Sequence, residues 1–246
     1  MSNGSRTERR TALVFGGSRG IGAAAASRLA ADGFAVALTY VSRPDKAAEV
    51  VSAIEAAGGT ALSIRADSAD PTAIRAATAQ TAEALGQIDV VVVNAGIIRI
   101  ATVDAFTLED LDLMLAVNVR GVFLAIQAAA SHMRDGGRII TIGSNTAVRT
   151  GTPGASVYAM TKAAVASMAK GVALDLAPRG ITVNNIQPGP TETDMTAGMI
   201  PQLREMIPLR RVGQPAEIAG LISYLASDQA GYMTGASLTI DGGFVL

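Results

Sequence analysis

The feature that most constrains this chain is an alternation. Short β-branched and aliphatic runs at residues 12–15, 35–40, 61–65, 89–93, 138–142, 182–186 and 237–240 are separated by alanine-rich stretches, at 21–31, 46–57, 72–85, 108–132, 156–176 and 215–226. Several runs are apolar at consecutive positions, Val90-Val91-Val92-Val93 most plainly. A strand of that kind is covered on both faces. Strand, helix, strand repeated along the chain predicts an α/β fold. The expected form is a single doubly wound domain with a seven-stranded parallel sheet, helices on both faces and ligands beyond the carboxyl ends of the strands.

Composition removes several classes of function. Hydrophobic residues make up 49% of the 246 and charged ones 17%, which supports a large core and excludes a disordered chain. Lysine and arginine total 20 against 21 acidic residues, a formal net charge of −1, so neither nucleic acid nor an anionic membrane is expected as partner. There is no cysteine and His132 is the one histidine, so no metal site is expected and redox chemistry must come from a cofactor. Residues 1–10, polar and basic, read as a flexible tail before a domain spanning 11–246. The apolar run after them is too short for a signal peptide, and no run approaches the about 18 residues of a membrane helix. A soluble, cytoplasmic protein is the expectation. The long irregular segment at about 190–212 carries three prolines and Arg210-Arg211 and reads as a substrate lid; Met195, Met199 and Ile200 in it suit an apolar substrate portion.

The first strand runs into Gly16-Gly17-Ser18-Arg19-Gly20-Ile21-Gly22 and then a helix. Peptide N–H groups and the positive end of the helix dipole suit a diphosphate there, with glycines leaving room for its approach. The same letters spell a G-x-S-x-G nucleophile elbow. A hydrolase would need His132 as base, however, and that residue ends a helical stretch rather than standing at a strand's carboxyl end. The second strand ends Leu38-Thr39-Tyr40 without a carboxylate for a ribose 2′-OH, whereas Arg43 follows it and Arg19 projects from the glycine turn. Two guanidiniums and no acid favour NADP(H) over NAD(H). Tyr158 and Lys162 form Y-x-x-x-K on one helix face, where an ammonium is expected to favour the phenolate and lower its pKa. Ser144 lies just past the fifth strand, and Asn118 within the helix after the fourth.

Together these residues resemble the short-chain dehydrogenase/reductase family from about Thr11 to the C-terminus. The resemblance rests on Gly16-x-x-x-Gly20-x-Gly22, Asp67, Asn94-Ala95-Gly96, Asn118, Ser144, Tyr158-x-x-x-Lys162 and Pro188-Gly189-Pro190-Thr191-Glu192-Thr193. It implies a Rossmann fold and similarity to bacterial NADPH-dependent carbonyl reductases and 3-oxoacyl-acyl-carrier-protein reductases. Tyr158 is then the general acid/base, Ser144 polarises the carbonyl, Lys162 binds the nicotinamide ribose, and Asn118 holds a water in the proton relay. The implied cofactor contacts come from Gly16, Ser18, Arg19, Gly20, Ile21 and Gly22; from Tyr40, Ser42 and Arg43; from Ala66, Asp67 and Ser68 at the adenine; from Asn94, Ala95 and Gly96; and from Tyr158, Lys162, Pro188, Gly189, Thr191 and Thr193. The resemblance also implies a homotetramer or homodimer, built through the two long helices and residues 237–246.

Some positions depart from the family pattern. Phe15 stands where a threonine is common and leaves a bulky ring to be packed. The interval from Ser144 to Tyr158 is one residue longer than in many 3-oxoacyl reductases, and Asp135 stands near their usual carrier-docking arginine, while Arg179 retains the other. The leading expectation is hydride transfer between NADP(H) and a ketone or secondary alcohol. The runner-up is 3-oxoacyl-acyl-carrier-protein reduction, and the alternative of another class is a cyclic di-GMP-binding regulatory protein of the same fold.

Overall fold

The computed structural model describes residues 9–246, so most of the tail expected at 1–10 lies outside the described residues. Strands β1 (Thr11–Phe15), β2 (Ala35–Tyr40), β3 (Thr60–Arg65), β4 (Ile88–Val93), β5 (Met133–Ile142), β6 (Thr182–Pro188) and β7 (Ser237–Ile240) form one sheet in the order β3-β2-β1-β4-β5-β6-β7. Every pairing in it is parallel. The helices are α1 (Gly20–Ala31), α2 (Pro44–Ala56), α3 (Pro71–Leu85), α4 (Leu108–Leu115), α5 (Gly121–Ala130), α6 (Ser156–Leu176), α7 (Ile200–Met206) and α8 (Pro215–Ala226). The strand order reverses between β1 and β4, and in such sheets the crevice opens at that point.

The unbroken apolar strands are explained by two cores, one on each face. Leu13, Phe15, Val91, Val93 and Ile139 pack with Ile74, Ile126 and Val165 of α3, α5 and α6. Their neighbours Ala12, Val14, Val90, Val92 and Ile140 pack with Leu29, Ile54 and Ile222 of α1, α2 and α8. Phe15 therefore needs no polar partner: its ring is 1% exposed in the first core, and its carbonyl accepts from Asn94 N and Ala95 N at 3.2 and 2.9 Å. That fixes the start of the segment after β4 against the end of β1.

Three expectations are corrected. The helix expected over 108–132 is interrupted by a π-helical turn at Ala116–Arg120 and ends at Ala130, which leaves His132 in the turn into β5. β5 begins at Met133, with its register shifted between Ile88 and Val90; Asp135-Gly136-Gly137 looks like a loop but lies within the strand. By length and composition, Leu108–Ala130 does pass as a membrane span, with mean hydropathy 1.7. Glu109, Asp110 and Asp112 at its start and Asn118, Arg120 and Gln127 further on break the contiguous run yet leave the average high, and the helix docks on the sheet, α5 against α3.

Candidate active site

The ends of β1, β4, β5 and β6 converge, and the turns leaving them carry most of the residues singled out above. In the first turn Gly16 (φ +75°) and Gly20 (φ +53°) adopt backbone that side chains disfavour. The closeness they permit is to the chain itself. A Cβ on Gly16 would lie 2.9 Å from Ala95 Cα, and one on Gly20 would lie 3.1 Å from the Thr193 methyl. Asn94 Nδ2 donates to Gly16 O at 2.8 Å, so three separate turns are held as one surface. Arg19, the N-cap of α1, provides no side-chain acceptor, and the first turn of the helix holds no acid, which keeps its N–H groups available to an anion.

The two guanidiniums expected beyond β2 are both present, and each has an acidic partner that lies outside the strand end. Arg43 grips Asp45 through Nε and Nη2 at 3.1 and 2.8 Å and holds that carboxyl at about 2. Arg19 Nη1 reaches Asp194 at 3.4 Å. Both pairs are solvent-exposed, and such pairs exchange readily for a stronger acceptor such as a phosphate. Tyr40 is half-buried beside exposed Ser42; Ala66 N donates to Tyr40 O at 2.8 Å, and Asp67 Oδ1 closes a small turn on Ala69 N. Ser68 is buried under Gly121, where a Cβ would meet Ser68 O at 2.2 Å.

Four side chains gather deeper in the crevice. Lys162 is 4% exposed; its Nζ donates to Ile142 O at 2.9 Å and lies 5.7 Å from the centre of the Tyr158 ring. Burial with no carboxylate beside it pulls this ammonium down to about 8. Tyr158 pairs with the Ser144 hydroxyl, and burial raises its pKa more than that hydrogen bond lowers it. Desolvation therefore sets the direction at Tyr158 in the chain alone, and the lowering expected from Lys162 belongs to the site with a cationic nicotinamide beside it. Ser144 Oγ accepts from Thr146 Oγ1 at 2.9 Å and Thr146 N at 3.2 Å. With both lone pairs engaged, its own proton is left to donate.

Asn118 sits in the π turn, fully buried. Its Oδ1 accepts from Ile97 N at 2.9 Å, and its Nδ2 donates to Ile97 O at 2.8 Å and to Thr161 Oγ1 at 3.2 Å. Thr161 in turn donates to Tyr158 O at 2.8 Å. Both amide hydrogens are committed, so this side chain braces the segment after β4 instead of presenting a donor to water. Gly96 closes the group: a Cβ there would lie 3.3 Å from Lys162 Nζ.

Gly189, Thr191 and Thr193 line the exit from β6. Gly189 N donates to Ile240 O, Thr191 Oγ1 to Gly189 O, and Thr196 Oγ1 to Thr193 O. Thr146, Thr161, Asn145 and Asp241 were not singled out from the sequence. A hydroxyl two residues after Ser144 and another three after Tyr158 were the available signals, and neither carries meaning until the turns are folded.

Residues 16–245 match the family model described as Enoyl-(Acyl carrier protein) reductase. The chain belongs to that family, and with it to the short-chain dehydrogenase/reductases, oxidoreductases on a Rossmann-type sheet. A short-chain dehydrogenase/reductase from Serratia marcescens is 52% identical with a TM-score of 0.94, over 96% of this chain and 98% of that one. A short-chain dehydrogenase from Burkholderia cenocepacia, solved in complex with NADP, is 46% identical with a TM-score of 0.95, over 98% and 100%. Among curated relatives, a 3-oxoacyl-[acyl-carrier-protein] reductase of Synechocystis is 41% identical over 96% of both chains. The cyclic-di-GMP-binding biofilm dispersal mediator protein of Escherichia coli is 39% identical over 96% of this chain and 97% of its own. A reductase and a regulator at nearly one identity show that similarity alone does not select the ligand.

Proposed function

We propose that this chain reduces a ketone, or oxidises a secondary alcohol, with NADP(H), Tyr158 exchanging the proton with the substrate oxygen. The observation that carries the reading is the Ser144–Tyr158 pair: a serine whose acceptors are filled by Thr146, joined to a half-buried phenol beside Lys162. Two O–H donors side by side suit one oxygen on which negative charge develops.

The residues fit the cofactor. The acid-free start of α1 suits its diphosphate, and the exposed Arg19 and Arg43 with no carboxylate at the end of β2 suit a 2′-phosphate. Lys162, with one of its three hydrogens on Ile142 O, has two for the ribose at the nicotinamide end. When bound, the cofactor supplies or accepts the hydride. Ser144 donates to the carbonyl oxygen, and Tyr158, kept protonated by burial, delivers its proton there as negative charge develops. Lys162 would hold the ribose at the nicotinamide end and keep an ammonium beside Tyr158. Asn118 holds Ile97, and with it the wall beside Lys162. The segment 190–212 acts as the lid of a single domain spanning 11–246. The chain assembles as a homodimer or homotetramer, a reading supported by exposed Leu113, Phe123, Met160 and Leu174 on its long helices.

One observation weighs against an acyl carrier protein. Arg179 spends three of its five N–H groups within the chain, on Asp135 at 2.8 Å and on Ala130 O and Met133 O at 2.6 and 2.7 Å, so less of it is offered to an acidic partner. The cyclic di-GMP reading leaves the Ser144–Tyr158–Lys162 arrangement without a task. The test is a ketone panel assayed with NADPH and with NADH by loss of nicotinamide absorbance, beside a cyclic di-GMP titration. Turnover with NADPH preferred is expected. No turnover on any ketone, with tight cyclic di-GMP binding, would replace this reading by the regulator.

A further inference from the structure

The turn after β7 reaches the serine loop through one carboxylate. Asp241 Oδ1 accepts from Gly243 N at 2.9 Å; Oδ2 accepts from Val245 N at 3.0 Å and from Asn145 Nδ2 at 3.2 Å. Asn145, 4% exposed, stands between Ser144 and the Thr146 that fills both acceptor sites of Ser144 Oγ. Fixing Asn145 therefore fixes the residues on either side, and the direction of the serine proton with them. The turn is itself well held. Arg149 Nη1 donates to Phe244 O and Leu246 O at 3.2 and 3.3 Å, and Leu209 N donates to Gly242 O at 3.2 Å. Gly189 lies so close that a Cβ there would be 2.4 Å from Asp241 Cβ.

We infer that Asp241 is a positioning residue for the reaction: its carboxylate, set by the N–H groups of its own turn, holds Asn145 and thereby aims the Ser144 hydroxyl at the substrate oxygen. The inference rests on the proposed reductase activity for its effect on rate, but not for the link between the two segments. A hydroxyl displaced by a fraction of an ångström still binds a ketone but stabilises the transition state less, so kcat falls while cofactor affinity stays.

The test exchanges the partners. In Asn145→Asp two carboxylates face each other; in the double variant Asn145→Asp/Asp241→Asn donor and acceptor across the link return with their roles reversed, while Val245 N–H loses its acceptor. Asn145→Asp is expected to lower kcat by about tenfold to a hundredfold with NADPH affinity nearly unchanged, and the double variant to recover part of the loss. Hydrogen exchange of the 144–149 amides, read by mass spectrometry, is expected to speed up in the single variant and slow again in the double one, whatever the turnover. Asn145→Ala gives a second way to cut the link should the paired carboxylates prevent folding. Unchanged exchange and kcat in a folded single variant, or a folded double variant no better than the single, would overturn the inference. If exchange follows the swap while wild type turns over no ketone, the link stands and the proposed activity is what falls.

Discussion

The floor of the crevice and the excursion between β6 and α8 are built on opposite plans. On the floor, Asn118, Ser144 and Lys162 are each at most 7% exposed, and the backbone or a neighbouring hydroxyl answers their polar atoms. Residues 190–213 instead expose Met195, Met199 and Met206 and are tied down at their ends. Glu192 N meets Gly213 O, Gly213 N meets Pro190 O, and Gln214 Nε2 meets Glu192 at 2.7 Å. Within the excursion Arg210 takes the positive φ of 55°, a strained turn of the kind stored where a segment must be held in shape. The contrast teaches a division of labour. On the proposed mechanism, groups that move protons sit where desolvation sharpens electrostatics, and groups that meet variable substrate sit where a change of side chain disturbs little packing.

The sharpest way to break this contrast is Lys162→Met. On the proposed mechanism kcat should fall by at least about a hundredfold. The folded chain should be no less stable at neutral pH, because an ammonium forced down to about 8 from 10.5 opposes folding. Below pH 8 both states carry the proton and the burial penalty is complete; between 8 and 10.5 the folded state gives it up first and wild type gains stability. The advantage of the variant, on the order of 3 kcal/mol at most before the lost bond to Ile142 O is counted, should therefore narrow as pH rises through that window. Thermal melts from pH 6 to about 10 check this; an advantage that widened would contradict the burial argument.

Asn118→Ala comes next. It orphans the N–H and C=O of Ile97, and urea titration should show a loss of about 1–3 kcal/mol, with activity falling alongside. Arg43→Ala should weaken NADPH binding by about tenfold in fluorescence titration and leave NADH nearly untouched, since Arg43 answers only a phosphate. The smallest effect belongs to the excursion. Met199→Ala should change stability by less than about 0.5 kcal/mol and alter KM for apolar ketones a few-fold with little change in kcat. A large kcat loss there would merge the two regions into one catalytic unit.

The layer order and the turns were legible in the sequence because a doubly wound sheet writes itself as repeated apolar runs and sends its ligand residues to fixed strand ends. The joints between segments were not. Nothing local marks the π turn at Asn118, where tertiary hydrogen bonds to Ile97 and Thr161 hold the extra residue in the helix. Asp194 meets Arg19 only once the excursion is folded, whereas Asp45, two residues after Arg43, was there to be read and cation counting passed over it. α7 was hidden by Pro201, which suits a helix's first turn as well as a loop.

The most direct measurement is a single turnover with NADPH deuterated at both C4 positions and an active ketone, wild type beside Tyr158→Phe, with product deuterium read by mass spectrometry. One deuterium at the carbinol carbon in wild type, and almost none over the same interval in a variant that still binds NADPH, is the predicted result. Transfer at the wild-type rate without the phenol would contradict the assignment of the proton to Tyr158.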